Sequence, residues 1–224
     1  MSDALHFASH RLQEIALVTM AIVYAFRIRW ILKFPAGKER QAPTGTGSLK
    51  PRTSIIYSWF NIAQPWAMES TRTKFFLYAQ FVVFHVGVVA AIGLSFVIPY
   101  GPGLLESPAL MNIIRILCFA AFLVGILRII RRVGSKPMRV ISSPDDYFSL
   151  LLLTVWFFFA GLATPNNYTG GEFILMTYFW MTAFFLIYVP FSKISHYLYY
   201  PFTRFYLGKT LGRRGVYPMV KGHR

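Results

Sequence analysis

Residues Phe75–Ile98 read FFLYAQFVVFHVGVVAAIGLSFVI, 24 positions without Asp, Glu, Lys or Arg. A hydrocarbon core about 30 Å thick is crossed by about 20 mainly apolar residues in helix, so this stretch alone predicts a membrane span. The one side chain in it that can carry charge near neutral pH is His85. Such groups are costly in hydrocarbon, and one that persists there marks a candidate functional site.

Four further stretches meet the same length criterion: Leu12–Trp30, Ala109–Ile130, Tyr147–Ala163 and Phe173–Tyr200, the last carrying His196 near its end. The expectation is an all-α membrane protein with five transmembrane helices. Composition agrees, since 55% of the 224 residues are hydrophobic and only 14% charged. The single cysteine, Cys118, excludes an internal disulfide and a thiolate metal cluster. No basic segment precedes the first apolar stretch, so no cleaved signal peptide is expected. Ser142-Ser143-Pro144-Asp145-Asp146 supplies capping side chains and negative charge for the start of the fourth helix.

A net charge of +15 in a soluble chain would suggest nucleic acid, but the cations here are sorted by loop. Residues 35–74, 128–146 and 191–224 carry six, five and seven Lys/Arg, whereas 99–108 and 164–172 carry none. By the positive-inside rule the N-terminus is outside and the C-terminus cytoplasmic. One membrane domain over 1–224 follows, with a long cytoplasmic loop at 35–74 and a basic tail at 201–224. No nucleic-acid partner is expected. Pro35–Thr53 reads as irregular, and Ile55–Met68, with Trp59, Phe60 and Trp66, as an interfacial or partner-covered segment.

Imidazole is a common axial ligand of haem iron. His85 lies 11 residues past Lys74, about 16 Å along a helix, and His196 lies 23 residues past Phe173, about 35 Å. Both depths fall in the inner half, and ordinary tilts of about 20° bring them together. The pair therefore reads as the two ligands of one b-type haem. Gly87, with Gly93 beyond it, would leave room for a flat macrocycle. Arg128, Arg131 and Lys193 are placed to meet haem propionates, or simply to form the cytoplasmic cuff of positive charge. A structural reading, in which the histidines bond neighbouring helices, makes the chain a haem-free anchor or small transporter; no repeat or broken helix pair supports transport.

His6 and His10 stand at i, i+4 with Glu14 one turn on, a spacing suited to a metal, to proton movement at a quinone site, or to a solvated helix start. Arg115 enters the third helix and is expected to pair with Glu106 or Glu172, or to meet a quinone carbonyl. His10, Glu14 and Arg115 are the quinone candidates.

Phe84-His85-Val86-Gly87 and Pro190-Phe191-Ser192-Lys193-Ile194-Ser195-His196, followed by a basic tail, resemble the gamma subunit of respiratory nitrate reductase, a five-helix membrane cytochrome b. The resemblance extends to helix count, size and topology. It implies that His85 and His196 hold the haem nearer the cytoplasm. The outer pair of ligands would fall at Ser95 and Tyr178, neither of them histidine, and no lysine stands near Ser107. One haem b is implied rather than two, in a divergent member similar to the gamma-like cytochromes that partner iron–sulfur proteins of the heterodisulfide reductase type. The implied role is electron transfer between quinone and a cytoplasmic iron–sulfur or molybdenum subunit, in a bacterial or archaeal cytoplasmic membrane. Without a nucleophile–base pair or phosphate loop, independent catalysis is not expected.

Overall fold

A computed structural model of the chain describes residues 1–34, 37, 40, 42, 51–66 and 69–218. Among these the regular elements are all helical: α1 (Asp3–Ser9), α2 (Arg11–Lys33), α3 (Pro51–Phe60), α4 (Glu69–Thr73), α5 (Phe75–Tyr100), α6 (Pro108–Gly134), α7 (Lys136–Ile141), α8 (Pro144–Ala163), α9 (Phe173–Tyr188) and α10 (His196–Arg213). Five segments are long and apolar enough to cross a membrane: Asp3–Lys33, Phe75–Tyr100, Pro108–Gly134, Pro144–Ala163 and Phe173–Phe191. The chain is a multi-pass membrane protein. Most of the segment expected to be irregular, and the end of the basic tail with His223, lie outside the described residues.

Two compact units are formed, Met1–Ala25 with Ala79–Ile194, and Phe26–Tyr78 with Ser195–Arg224. The first is a bundle. On α5 the buried residues Phe84, Gly87, Ala91, Leu94, Ser95 and Ile98 recur every three or four positions and make one inward stripe. Val89 on the same helix is 70% exposed, Ile116 on α6 66% and Phe173 on α9 72%, as hydrocarbon surroundings permit. Inside, Phe157, Tyr178 and Phe179 are fully buried and Trp156 nearly so. Their polar atoms are paired: Tyr178 Oη donates to the Ala91 carbonyl (2.6 Å) and Trp156 Nε1 to Thr182 Oγ1 (2.8 Å). Buried Gln13 joins α2 to α9 by donating to the Phe179 carbonyl at 2.8 Å.

The cap anticipated for the fourth span is present. The Ser143 backbone N–H donates to Asp146 Oδ2 at 2.8 Å, and the Asp146 N–H returns a bond to the Ser143 carbonyl at 3.0 Å.

The fifth span departs from expectation. The α-helix does not run to Tyr200 but stops at Tyr188, passes through a 3₁₀ turn at Val189–Phe191, and leaves the helical region at Ser192 (ψ 172°). Pro190 is the cause: it lacks the amide that would bond to the Leu186 carbonyl and continue the ladder. His196 thus opens a separate helix beyond the apolar span.

In the second unit α3 and α10 pair antiparallel. Trp59 Nε1 donates to the Pro201 carbonyl (3.1 Å) and Tyr200 Oη to the Trp59 carbonyl (2.7 Å), while Ser54 Oγ reaches the Tyr217 carbonyl (2.8 Å) at the other end. A Cβ on Gly208 would stand 2.6 Å from Ile55 Cα, so only glycine allows the two backbones to approach this closely. Gly208 and, one turn on, Gly212 are both buried. Gly215, at φ 69°, ends α10 in the left-handed conformation usual after a helix C-terminus.

Candidate cofactor site around His85

His85 lies midway along α5 in the bundle, half-buried. Its Nδ1 is 2.7 Å from the carbonyl oxygen of Phe81, one turn back. A carbonyl only accepts, so the proton belongs on Nδ1 and the lone pair on Nε2. Phe81 lies against the ring, centroids 4.1 Å apart, and Phe84 meets it edge-on at 6.3 Å. Phe84 is itself held between two neighbours: Phe157 strikes it at 89° and 5.1 Å, and the Arg128 guanidinium lies 4.7 Å from its centroid. Sequence reasoning selected Arg128 and His85 but missed Phe81 and Phe84, which orient them; in so aromatic a chain no single phenylalanine stands out.

Gly87 does not leave room for a macrocycle. A Cβ there would fall 2.2 Å from the Ala121 Cβ, because α6 is pressed against that face. Gly93 has open space beside it, with nothing within 4 Å of an added Cβ.

The three cations near these helix ends part company. Lys193 Nζ is 2.8 Å from Asp146 Oδ2 and 2.7 Å from Ser143 Oγ, which gives its charge a protein partner. Arg131 is exposed and makes no ion pair among the described residues. Arg128 is half-buried against the Phe84 ring, with no ion pair among the described residues. In the second unit His196 is exposed at the first position of α10, its ring 6.5 Å from that of Tyr197.

His10 and Glu14 are brought together through a residue not selected from sequence. The Tyr100 hydroxyl donates to Glu14 Oε1 at 3.2 Å, and the Tyr100 ring meets His10 edge-on at 5.5 Å. His6 stacks on His10 at 4.4 Å, and Arg11 pairs with Glu14 at 3.2 Å. Among the described residues no group of three or more His, Cys, Asp or Glu side chains is placed to hold a metal ion. Arg115 does not pair with Glu106 or Glu172. It is exposed, lying 5.9 Å from the ring of Phe119 one turn on. Glu172 accepts instead from the hydroxyl and the backbone N–H (2.6 Å) of Ser2. Those two donors hold its carboxyl below the usual carboxylate range.

Ser95 and Tyr178, where the resemblance would put outer haem ligands, lie in the core of the bundle. Tyr178 has no exposed surface, and Trp156 stacks on it at 6.4 Å with the planes 12° apart. Compared with protein-family models, with curated proteins and with solved structures, the chain matches none.

Proposed function

We propose that the chain is a membrane cytochrome b subunit in which His85 and His196 hold one haem. The observation that carries this reading is the Nδ1 contact of His85 with the Phe81 carbonyl at 2.7 Å. Metal-ligating imidazoles characteristically donate the second ring N–H to such an acceptor, which sets the tautomer and ring orientation. Phe81 and Phe84 would restrain the ring, and the apolar helix around them would keep water from it. Bound haem supplies one-electron transfer, with no open coordination position when two imidazoles ligate it. The remaining roles belong to the chain: α5 carries one ligand and the start of α10 the other, while the closed packing around Tyr178 supports a single haem.

The wider assignment rests on the resemblance to the nitrate reductase gamma subunit and on the cation asymmetry of the loops. It is an N-outside, C-inside subunit of a bacterial or archaeal cytoplasmic membrane. It passes electrons between quinone and an iron–sulfur or molybdenum partner on the cytoplasmic side. His10 and Glu14, joined through Tyr100, are the groups best arranged to take protons from a quinol.

The rival reading is a haem-free anchor. It is favoured by the tight seat of Gly87 on Ala121 and by the exposure of His196 outside the apolar span. A reduced-minus-oxidised spectrum of the purified protein separates the two. The cytochrome reading expects a b-type band that disappears in both His85→Ala and His196→Ala. No band in the wild type, or a band that survives either substitution, overturns it.

A further inference from the structure

Arg128 is a half-buried charge that no anion compensates among the described residues. It sits on α6 six residues before the helix ends at Gly134, half-buried, with no ion pair or hydrogen bond among the described residues. Arg131 and Arg132 occupy the last turn, where the partial negative charge of the helix C-terminus favours cations. That effect fades within one turn, so Arg128 gains little from it. Arg131 and Arg132, three and four positions on, share its face and repel it.

Nearby carboxylates are already engaged. Asp146 lies 2.8 Å from Lys193 and 3.9 Å from Arg132, and Asp145 accepts from the Tyr188 hydroxyl and, at 3.2 Å, from the Lys193 N–H. Arg139 is turned to the Val133 carbonyl at 2.6 Å. This end of the bundle holds more cations than its own anions neutralise. A guanidinium half-withdrawn from water with an aromatic ring beside it but no anion is costly, and an oxyanion with two or more acceptor oxygens suits its planar fork.

The flanking surface narrows the kind of oxyanion. Leu123 and Leu127, on α6 on the side of Arg128 away from the helix end, are 59% and 48% exposed and lie two turns and one turn before Arg131. Cations beside bare aliphatic chains match an amphiphile with a negative head. We propose that Arg128 and Arg131 bind the phosphate of an anionic phospholipid, whose acyl chains run from there along Leu127 and Leu123 toward the middle of the span. Basic sites of this kind at the cationic end of membrane helices recruit anionic lipid. The inference does not depend on the haem reading, whose propionates are the competing oxyanion for Arg128.

The test is native mass spectrometry of the full chain, delipidated in neutral detergent and offered equal amounts of phosphatidylglycerol and phosphatidylcholine. The wild type should retain phosphatidylglycerol in about tenfold preference. Arg128→Gln and Arg131→Gln should each bring retention towards parity, and Arg128→Lys should keep most of the preference. Because Arg131 is exposed, its variant carries the test even where Arg128→Gln fails to fold. Equal retention of both lipids by the wild type, or an unchanged preference in Arg131→Gln, overturns the proposal. So does an Arg128→Gln protein that loses bound haem while its lipid preference holds, since the guanidinium would then belong to the cofactor.

Discussion

Gly87 in the bundle and Gly208 in the α3–α10 pair do the same thing, letting one helix approach another where a methyl group would collide. Their surroundings differ. In the bundle the interior is aromatic and most of its polar atoms are matched, as with Trp156 to Thr182 and Tyr178 to Ala91, although Gln13 Oε1 has no partner among the described residues. Along α3 the buried side chains are small and polar: Ser54, Ser58 and Asn61 are 1%, 0% and 1% exposed. The hydroxyl of Ser58 and both amide atoms of Asn61 have no hydrogen-bond partner among the described residues. A bundle solvated by hydrocarbon gains nothing from water, so most of its polar groups pair internally and its helices hold by close fit. The α3–α10 pair is stitched by tyrosine, tryptophan and serine bonds to backbone carbonyls, and it tolerates unmet groups that cost about 1–3 kcal/mol each.

The largest expected effect is Gly208→Ala. The added methyl meets backbone at Ile55 and Ser54, which no rotamer change relieves. A loss of about 3 kcal/mol is expected, visible as faster amide hydrogen exchange in α3 and α10 while α8 remains protected. Equal loss of protection in α8 would mean that the two units do not open separately. Gly87→Ala should cost about 2 kcal/mol. Here the obstruction is the Ala121 methyl, so adding Ala121→Gly should restore most of the thermal stability; failure of that rescue would remove close α5–α6 contact as the cause.

A smaller effect, of opposite sign, is expected from Ser58→Ala. Removing an unmatched buried hydroxyl should raise stability by about 1 kcal/mol, read as a higher midpoint in detergent. A drop would show that the hydroxyl has a partner such as bound water.

The smallest effect concerns pH. Glu172 has its carboxyl lowered in the folded state by Ser2. Its contribution is therefore present above the unfolded carboxylate value and fades as pH falls through the lower folded value. Amides of α1 should lose protection below about pH 4, and Glu172→Gln should remove that dependence. An unchanged acid limb in the variant would assign it to another group.

Much of the architecture was legible. Long apolar stretches announced five spans, and Ser143 with Asp146 announced the cap on α8. The end of the fifth span was misread because counting apolar residues from Phe173 to Tyr200 ignores Pro190, whose missing amide stops the helix. Of the site, His85 and Arg128 could be selected because charge is rare in such segments. Phe81, Phe84 and Tyr100 could not, since nothing in a string of aromatics tells which ring will face an imidazole or a carboxylate. The pairing expected for Arg115 failed because Glu172 is already engaged by Ser2, a residue 170 positions away in sequence.

The sequence by itself determined that the chain crosses a membrane, because transfer to hydrocarbon depends on residue type summed over a window, whatever the neighbours. It could not determine which face of each span turns inward. A helix apolar on every side carries no amphipathic signal, so the inward stripe of α5 through Gly87, Ala91 and Ser95 was decided by the fit of backbone against backbone. Tertiary structure alone also decided the partner of each polar group. Hydrogen bonds are directional and short, and Lys193 on Asp146, Tyr100 on Glu14 and Arg128 on the Phe84 ring exist only once the helices have set those atoms side by side.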